Sequence, residues 1–529
     1  MRNLKKLTKI FFFLLLISCS ESEIEKKNFI IILADDLGYS DLGSFGSEIN
    51  TPNIDMLAQE GVIMSNFHTS PLCAPSRAML LSGNDNHIAG IGIQAFSSEN
   101  FGYEGELSER VKIIPEVLQK SGYKSFISGK WHIGGDPYER GFNNSYSLLP
   151  GAFTHYDNNK PIEAYPDSSF SQNGKRVLWP EGEYSTDFYT QKMIDFIKSN
   201  HDKPFFAYLS YTAPHWPLQV DKEFSDNYVG YYDSGYHKVL EKRLINNIEK
   251  GIIPVASNLP DASYLSENWK KLSVNEKKLE SKKMEIYAGM IENMDLNIGK
   301  LIEYLKSENL YDNTIIFFLS DNGAAAEDFY YNKTYGKYIR DKFSYDINEI
   351  GSAKSFASLG RNWAETISYP FRLYKGYTTS GGIRSPLIIK GIESKSKISN
   401  EFMTLLDIAP TIYDISNSEY IYNKNYPLKG SSILPFFEEF SENIHSKDYV
   451  FSFEHSGNSI LRKGNWKIIN KTNPFSKENF ELFHVSDFTE QNNLINDFPN
   501  IFDSLYVEWN DFVLRNKVLL PTPYIDDLN

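Results

Sequence analysis

Apolar and β-branched runs alternate along most of this chain with stretches whose apolar positions recur every three or four residues. That alternation predicts strands separated by helices. Phe29 to Ala34, Tyr123 to Ser128, Phe205 to Tyr211 and Ile315 to Ser320 read as buried strands, and each stops in polar residues. Between them, Thr51-Pro52 opens a helix that Gly61 closes, and Ile113 to Lys120 stops before Gly122. Ile286, Met290, Met294, Ile298, Leu301 and Leu305 fall at helical spacing in Met284 to Lys306. Together these elements predict an α/β layered fold.

The strand ends carry the chemistry. Phe29 to Ala34 runs into Asp35-Asp36, Ile315 to Ser320 into Asp321-Asn322, Tyr123 to Ser128 toward Lys130 and His132, and Phe205 to Tyr211 toward His215. Ligands of layered sheets gather beyond the carboxyl ends of the strands, so the pattern already places a candidate site. Two stretches break the rhythm. From Ala324 to about Tyr374 the chain is irregular and rich in Tyr, Lys, Asp and Gly, too long for a passive loop, and reads as a wall or lid. From about Tyr420 come short strand-like pieces (Tyr449 to Phe453, Trp466 to Asn470, Phe480 to Val485) and a helix, Ile501 to Leu514, as expected of a small α+β domain. The expected organisation is a leader over 1–19, a tether over 20–27, a large domain over 28–419 and a small one over 420–529.

Composition sharpens this picture. A chain of 529 residues exceeds one simple core, which agrees with two domains. The net charge of -14 argues against nucleic acid or an anionic membrane as partner, so an anionic substrate would need a locally basic site. Arg2, Lys5, Lys6 and Lys9 precede an apolar run, Ile10 to Ile17, that is too short to span a bilayer and reads as a signal peptide. Leu16-Ile17-Ser18-Cys19 resembles the bacterial lipobox, the alternative being an ordinary signal peptide with an incidental cysteine. Export is therefore expected, as a lipoprotein in the periplasm or on the outer-membrane surface of a bacterium that meets the membrane only through its N-terminal lipid. The acidic stretch Glu21 to Glu25 resembles signals that direct some lipoproteins to the surface. Cys73 is the one other cysteine. With Cys19 acylated, no intramolecular disulfide is available, and Cys73 calls for another role.

Three groups of residues point to chemistry. Cys73-Ala74-Pro75-Ser76-Arg77 opens a helix, a pattern that a merely buried thiol before a Pro-started helix would also give. Asp35, Asp36, Asp321 and Asn322 offer four hard oxygen donors without His or Cys, which selects calcium or magnesium over zinc, and the mostly anionic set fits calcium. Either pair alone would also suit a turn. The third group is cationic: Gly129-Lys130-Trp131-His132, Ala213-Pro214-His215, and Tyr374-Lys375-Gly376 ahead of Gly381-Gly382-Ile383-Arg384. One such residue alone is usually a solvated surface group; their joint order is the signal.

In that order, Asp35-Asp36, Cys73 to Arg77, Lys130-x-His132, His215, Asp321-Asn322 and Lys375 resemble the type I, formylglycine-dependent sulfatases of the alkaline-phosphatase superfamily. The resemblance covers about Asn28 to Arg515, including Lys463-Gly464-Asn465-Trp466-Lys467 and Thr489-Glu490-Gln491-Asn492-Asn493-Leu494, and Phe371 to Arg384 is similar to the bacterial arylsulfatase branch. It implies a mixed sheet sandwiched by helices, with a smaller C-terminal domain built on a four-stranded antiparallel sheet. It implies hydrolysis of aryl, alkyl or carbohydrate sulfates, from a sulfated small molecule or saccharide, to alcohol and inorganic sulfate.

The same resemblance implies a Ca²⁺ ion held by Asp35, Asp36, Asp321, Asn322 and the modified residue 73, and oxidation of Cys73 to formylglycine by a separate formylglycine-generating enzyme. A thiol or serine that attacked sulfur would be left as a stable sulfated ester, whereas a hydrated aldehyde has a second hydroxyl that can expel sulfate. Arg77 would hold the hydrate, Lys130 a sulfate oxygen, and His132 would orient the hydrate and take its proton during elimination. His215 and Lys375 would assist the leaving group, and Asp321 could accept the nucleophile's proton. One departure is Ser82-Gly83 where the signature continues as Thr-Gly, which keeps the hydroxyl.

Two rivals remain at this point. One is a phosphodiester or phosphonate monoester hydrolase of the same superfamily, whose members tend to place His where Asn322 stands. The other is a catalytically inactive surface glycan-binding lipoprotein, which loss of a basic or carboxylate residue would favour; none is lost. Tyr228 to Tyr236 and Phe329 to Tyr338 are either packed loops or platforms for aryl or sugar rings.

Overall fold

The computed structural model describes residues 26–156, 169–200, 202–255, 258–421, 426–472 and 475–520. The expected leader, its lipobox cysteine and most of the tether lie outside these residues.

The strands are β1 (Asn28–Ala34), β2 (Val62–Met64), β3 (Phe67–His68), β4 (Lys124–Lys130), β5 (Asn144–Leu148), β6 (Phe170–Gln172), β7 (Lys175–Val177) and β8 (Phe205–Ser210). They continue as β9 (Thr314–Ser320), β10 (Leu387–Lys390), β11 (Ile398–Ser399), β12 (Met403–Thr404), β13 (Val450–His455), β14 (Asn458–Lys463), β15 (Trp466–Asn470) and β16 (Glu481–His484). Ten of them form one sheet in the order β11-β2-β10-β9-β1-β8-β4-β5-β6-β7. β1 lies at its centre, parallel to β9 on one side and β8 on the other, while β10 runs antiparallel to β9, so the sheet is mixed. β13 to β16 make a separate four-stranded antiparallel sheet.

The central strands are apolar on both faces because both are covered. Ile30, Ile32, Ile316 and Phe318 join one core with the long helix Val274–Ser307, α1 (Pro52–Glu60) and α4 (Ser185–Lys198). Phe29, Ile31, Leu33, Phe317 and Leu319 face the other way, onto α2 (Cys73–Ser82) and α3 (Ile114–Lys120). The small sheet adds Phe451, Phe453, Ile460 and Ile469 to this second core. Its other face, with Leu461 and Ile468, packs on the helix Pro499–Asn516 through Trp509 and Phe512.

One expectation needs adjustment, and two open alternatives close. The long helix begins at Val274 rather than Met284, fixed by a capping box in which Ser273 and Glu276 bond reciprocally at 2.7 and 3.3 Å. Its first turns are polar and carry no apolar period to reveal them. The stretch 324–374 contains two helices, Gly336–Lys342 and Arg361–Ser368, that bury Ile339, Trp363 and Ile367, so it is a packed wall rather than a loose cover. Tyr228, Tyr232 and Tyr236 are buried, with Tyr232 and Tyr236 hydroxyls donating to Glu48 and Glu280; that stretch is core, not a platform.

Candidate active site

Adjacent parallel strands end at the same level, and this is what assembles the site. The pairing of Ala34 with Ser320 puts Asp35-Asp36 beside Asp321-Asn322. The Asp36 N–H donates to Asp321 Oδ1 at 3.2 Å, and Asn322 Nδ2 donates to Asp36 Oδ1 at 2.6 Å. On the other side β8 ends at Ser210, beyond which lies His215, and β4 ends at Lys130. Asp36 and His132 both sit at positive φ, 65° and 64°, conformations usually left to glycine that persist only where surrounding structure enforces them.

Cys73 occupies the first turn of α2, buried, with its Sγ donating to Asp36 Oδ1 at 3.8 Å. Helix starts leave N–H groups without intrahelical partners. Here Gln94 Oε1 accepts from the Ala74 N–H at 3.1 Å, and Gln94 is itself tied to the small sheet by its N–H bond to His455 Nε2 at 3.0 Å. Burial and the Asp321 and Asp35 carboxylates push the Cys73 thiol well above its ordinary pKa, against the pull of Lys130 and Lys375. As a thiol it is a weak nucleophile.

Arg77, one turn onward, is fully buried. Its Nε and Nη2 donate to Asp321 Oδ2 at 3.1 and 2.7 Å, and its Nη1 donates to the Lys130 carbonyl at 3.0 Å and Ser210 Oγ at 2.6 Å. Nη2 also lies 3.4 Å from Asp35 Oδ1. With its donors so committed, Arg77 braces carboxylates and two strand ends one turn from Cys73. Lys130 Nζ donates to Asp35 Oδ2 at 2.7 Å and Lys375 Nζ to Asp36 Oδ2 at 2.8 Å. Burial opposes the charge of Lys375, but Asp36, Cys73 and Glu327 outweigh it and hold its pKa well above the ordinary value, so it is a fixed cation.

The two histidines are neutral. Burial, then Lys130 and Arg77, drive the pKa of His132 well down, and its Nδ1 is buried with no hydrogen-bond partner. Gly151 packs on the ring so closely that a Cβ there would lie 2.4 Å from Nε2. His215 is likewise lowered by burial, in spite of Asp36. Its Nδ1 bonds the Trp216 carbonyl at 2.7 Å, which can only accept, so Nε2, 3.4 Å from Asp36 Oδ2, faces the site.

The donor set suits a hard divalent cation. Asn322 Oδ1 is buried and accepts no hydrogen bond, and Asp35 Oδ1, also buried, has only the Arg77 guanidinium at 3.4 Å and no hydrogen bond, an expensive state that a cation would relieve. Asp35, Asp36, Cys73 and His215 bring possible ligand atoms within 4.8 Å of one another. Asp321 stands at the edge of this group, its oxygens engaged by Arg77 and the Asp36 N–H. Four carboxylates, Asp35, Asp36, Asp321 and Glu327, face three permanent cations, Arg77, Lys130 and Lys375. A dication would turn a slight negative excess positive, as an anionic substrate requires.

All ten expected site residues thus converge. Sequence reasoning missed Ser210, Gln94 and Glu327, the last 3.6 Å from Lys375 Nζ. Ser210 ends a strand as the recognised residues do and was legible on that ground; the other two sit in loops without a pattern.

Comparison with known proteins agrees with this geometry. The family model described as Sulfatase matches residues 27–418. An uncharacterized sulfatase of Schizosaccharomyces pombe, PB10D8.02c, is 38% identical over 92% of this chain and 94% of its own length. The arylsulfatase of Klebsiella aerogenes is 37% identical over 78% of this chain and 90% of its own. Among solved structures, Ps i-CgsB in complex with k-i-k-neocarrahexaose superposes with a TM-score of 0.65 at 24% identity, covering 93% and 94% of the two chains, which speaks to the fold.

Proposed function

The chain belongs to the sulfatase family and is a sulfuric ester hydrolase, and from that premise we propose that residue 73, converted from cysteine to formylglycine, supplies its nucleophile beside a bound calcium ion. The observation that carries this reading is the position of Cys73: at a helix start, against Asp36, inside a ring of buried cations. The hydrated aldehyde would supply two hydroxyls on one carbon, one to attack sulfur and one to release sulfate. Asp35, Asp36 and Asn322, with Asp321 behind them, would hold the ion, which supplies Lewis-acid stabilisation of charge on the sulfate oxygens.

The remaining work falls to the chain's own side chains. Lys130 keeps two of its three ammonium donors free of the Asp35 bond and can bind a sulfate oxygen. His132, neutral and unpartnered at Nδ1, can take a proton from the residue 73 hydroxyl during elimination. Lys375 and His215 lie on the Asp36 side, where the fixed positive charge of Lys375 can stabilise the departing oxygen and His215 can assist it only when Nε2, bare in the neutral ring, carries a proton. Buried among low-dielectric walls, each such donor is worth about 3–4 kcal/mol of barrier.

The name of the Klebsiella relative favours aryl sulfates. A lipid-anchored location outside the cytoplasm, read from residues 1–19, is part of the same proposal and suits a sulfated saccharide as well. Hydrolysis rates on nitrophenyl sulfate, a set of sulfated saccharides and a nitrophenyl phosphodiester test the reaction class. Sulfate ester cleavage should be faster by orders of magnitude, and equal or faster phosphodiester cleavage would favour the rival hydrolase.

A further inference from the structure

A cavity of about 440 Å³ opens beside Ala74, the neighbour of the nucleophile, and His132. It lies beyond the carboxyl ends of β4 and β5, and its volume is in the range that encloses a small ligand. Ile91, Ile93, Phe96 and Leu149 give it apolar walls suited to a ring, and Gln94 and Ser169 are neutral polar groups in the lining. Among the described residues lining it, one carries a formal charge: Arg176.

The backbone that carries Arg176 is held in place. It sits on β7, opposite Ser171 of β6, in a hairpin whose Asn173-Gly174 turn has positive φ at both residues. Asn173 pins that turn to β5: its Oδ1 accepts from the Ser145 N–H at 2.8 Å, and its own N–H donates to Ser145 Oγ at 3.0 Å. The guanidinium itself is loosely held. Its Nη1 lies 3.8 Å from Asp136 Oδ2, beyond hydrogen-bond reach, and that carboxylate already accepts from the Ser171 hydroxyl and the Tyr138 N–H. An ion pair of this length with a half-exposed arginine contributes little. A planar cation with uncommitted donors, fixed on a hairpin at the rim of a neutral cavity, matches a second anion presented by the substrate.

We propose that this cavity receives the organic part of the ester and that Arg176 selects sulfate esters whose organic part carries a second anionic group, a carboxylate or another sulfate. This rests on the sulfatase reading above. The test compares kcat/KM of the wild type, Arg176→Gln and Arg176→Lys on two substrate pairs. One pair is an aryl sulfate with and without a ring carboxylate; the other is a saccharide monosulfate and the matching disulfate. In the wild type the anionic member should be preferred, with the preference weakening as salt rises. The ratio of anionic to neutral ester should fall at least tenfold in Arg176→Gln, mainly through KM, and Arg176→Lys should retain part of it. The pair that responds identifies the anion. Hydrolysis of all esters with the same ratio in wild type and Arg176→Gln for both pairs would overturn the assignment and leave the sulfatase reading standing. Failure of the wild type to cleave any of the four would overturn both.

Discussion

Arg77 directs two hydrogen bonds, from Nε at 3.1 Å and Nη2 at 2.7 Å, onto a single carboxylate oxygen, Oδ2 of Asp321, with both side chains buried. One residue belongs to the helix that carries the nucleophile, the other to the strand end that carries the metal donors. Their bond therefore sets the distance between the two halves of the site.

Arg77→Lys keeps the charge but cannot reproduce the fork, so we expect kcat to fall about a hundred- to a thousandfold with a modest loss of stability. Arg77→Ala leaves Asp321 buried without its partner and should lose about 3–5 kcal/mol of stability as well. Steady-state kinetics and thermal melts check both. Near-normal kcat in Arg77→Lys would mean that the fork does not matter.

Removing divalent ions should abolish turnover and lower the melting temperature, because Asp35 Oδ1 and Asn322 Oδ1 are left without a hydrogen bond and the four carboxylates keep only three cations against them. An ion present at a hundred times its Kd contributes about 2.7 kcal/mol. Dialysis against chelator, metal analysis and titration back with calcium measure this. Full activity in demonstrably metal-free enzyme would contradict the assignment of these donors.

Lys375→Ala and His215→Ala should harm slow leaving groups most. Each is expected to reduce kcat/KM on an alkyl or sugar sulfate about a hundred- to a thousandfold, and on nitrophenyl sulfate distinctly less, since nitrophenolate needs little help to depart. Rates plotted against leaving-group pKa give the answer. Equal losses across the series would place these residues elsewhere in the cycle.

His87, just past α2, bridges Asp85 Oδ1 at 3.3 Å and Glu454 Oε2 of β13 at 3.2 Å. Burial disfavours its charge, but the hydrogen bonds and charges of the two carboxylates prevail and push its pKa up to about 9. A pKa raised above the unfolded value of about 6.5 contributes stability that is complete below about pH 6.5 and lost as pH rises through about 9. The contribution is on the order of 3 kcal/mol. The stability gap between wild type and His87→Gln should thus be wide near pH 6 and narrow near pH 10, as read from denaturation at both. A gap independent of pH would show that His87 is not held charged.

The sequence disclosed the strands that bear chemistry because the centre of the sheet is buried on both faces, which writes continuous apolar runs such as Phe29 to Ala34. It concealed the flanks for the converse reason. β5 reads Asn-Ser-Tyr-Ser-Leu, with Ser145 and Ser147 buried where apolar residues would normally mark a strand. The β6–β7 hairpin was signalled only by Asn173-Gly174, and so was the residue it positions, Arg176. Within the site, Arg77 with Asp321 and Lys375 with Asp36 join residues hundreds of positions apart. No local pattern encodes such pairs, and their grouping was legible only through the family resemblance. Gln94 and Glu327 have no counterpart in that set of motifs.

Catalysis turns on the chemical state of residue 73. Peptide mass spectrometry of several enzyme preparations, each with its specific activity on nitrophenyl sulfate, gives the fraction in which CH₂SH has become CHO. Activity should rise in proportion to that fraction and extrapolate to zero where the thiol is intact. Full activity in a preparation whose residue 73 is entirely cysteine would contradict the account.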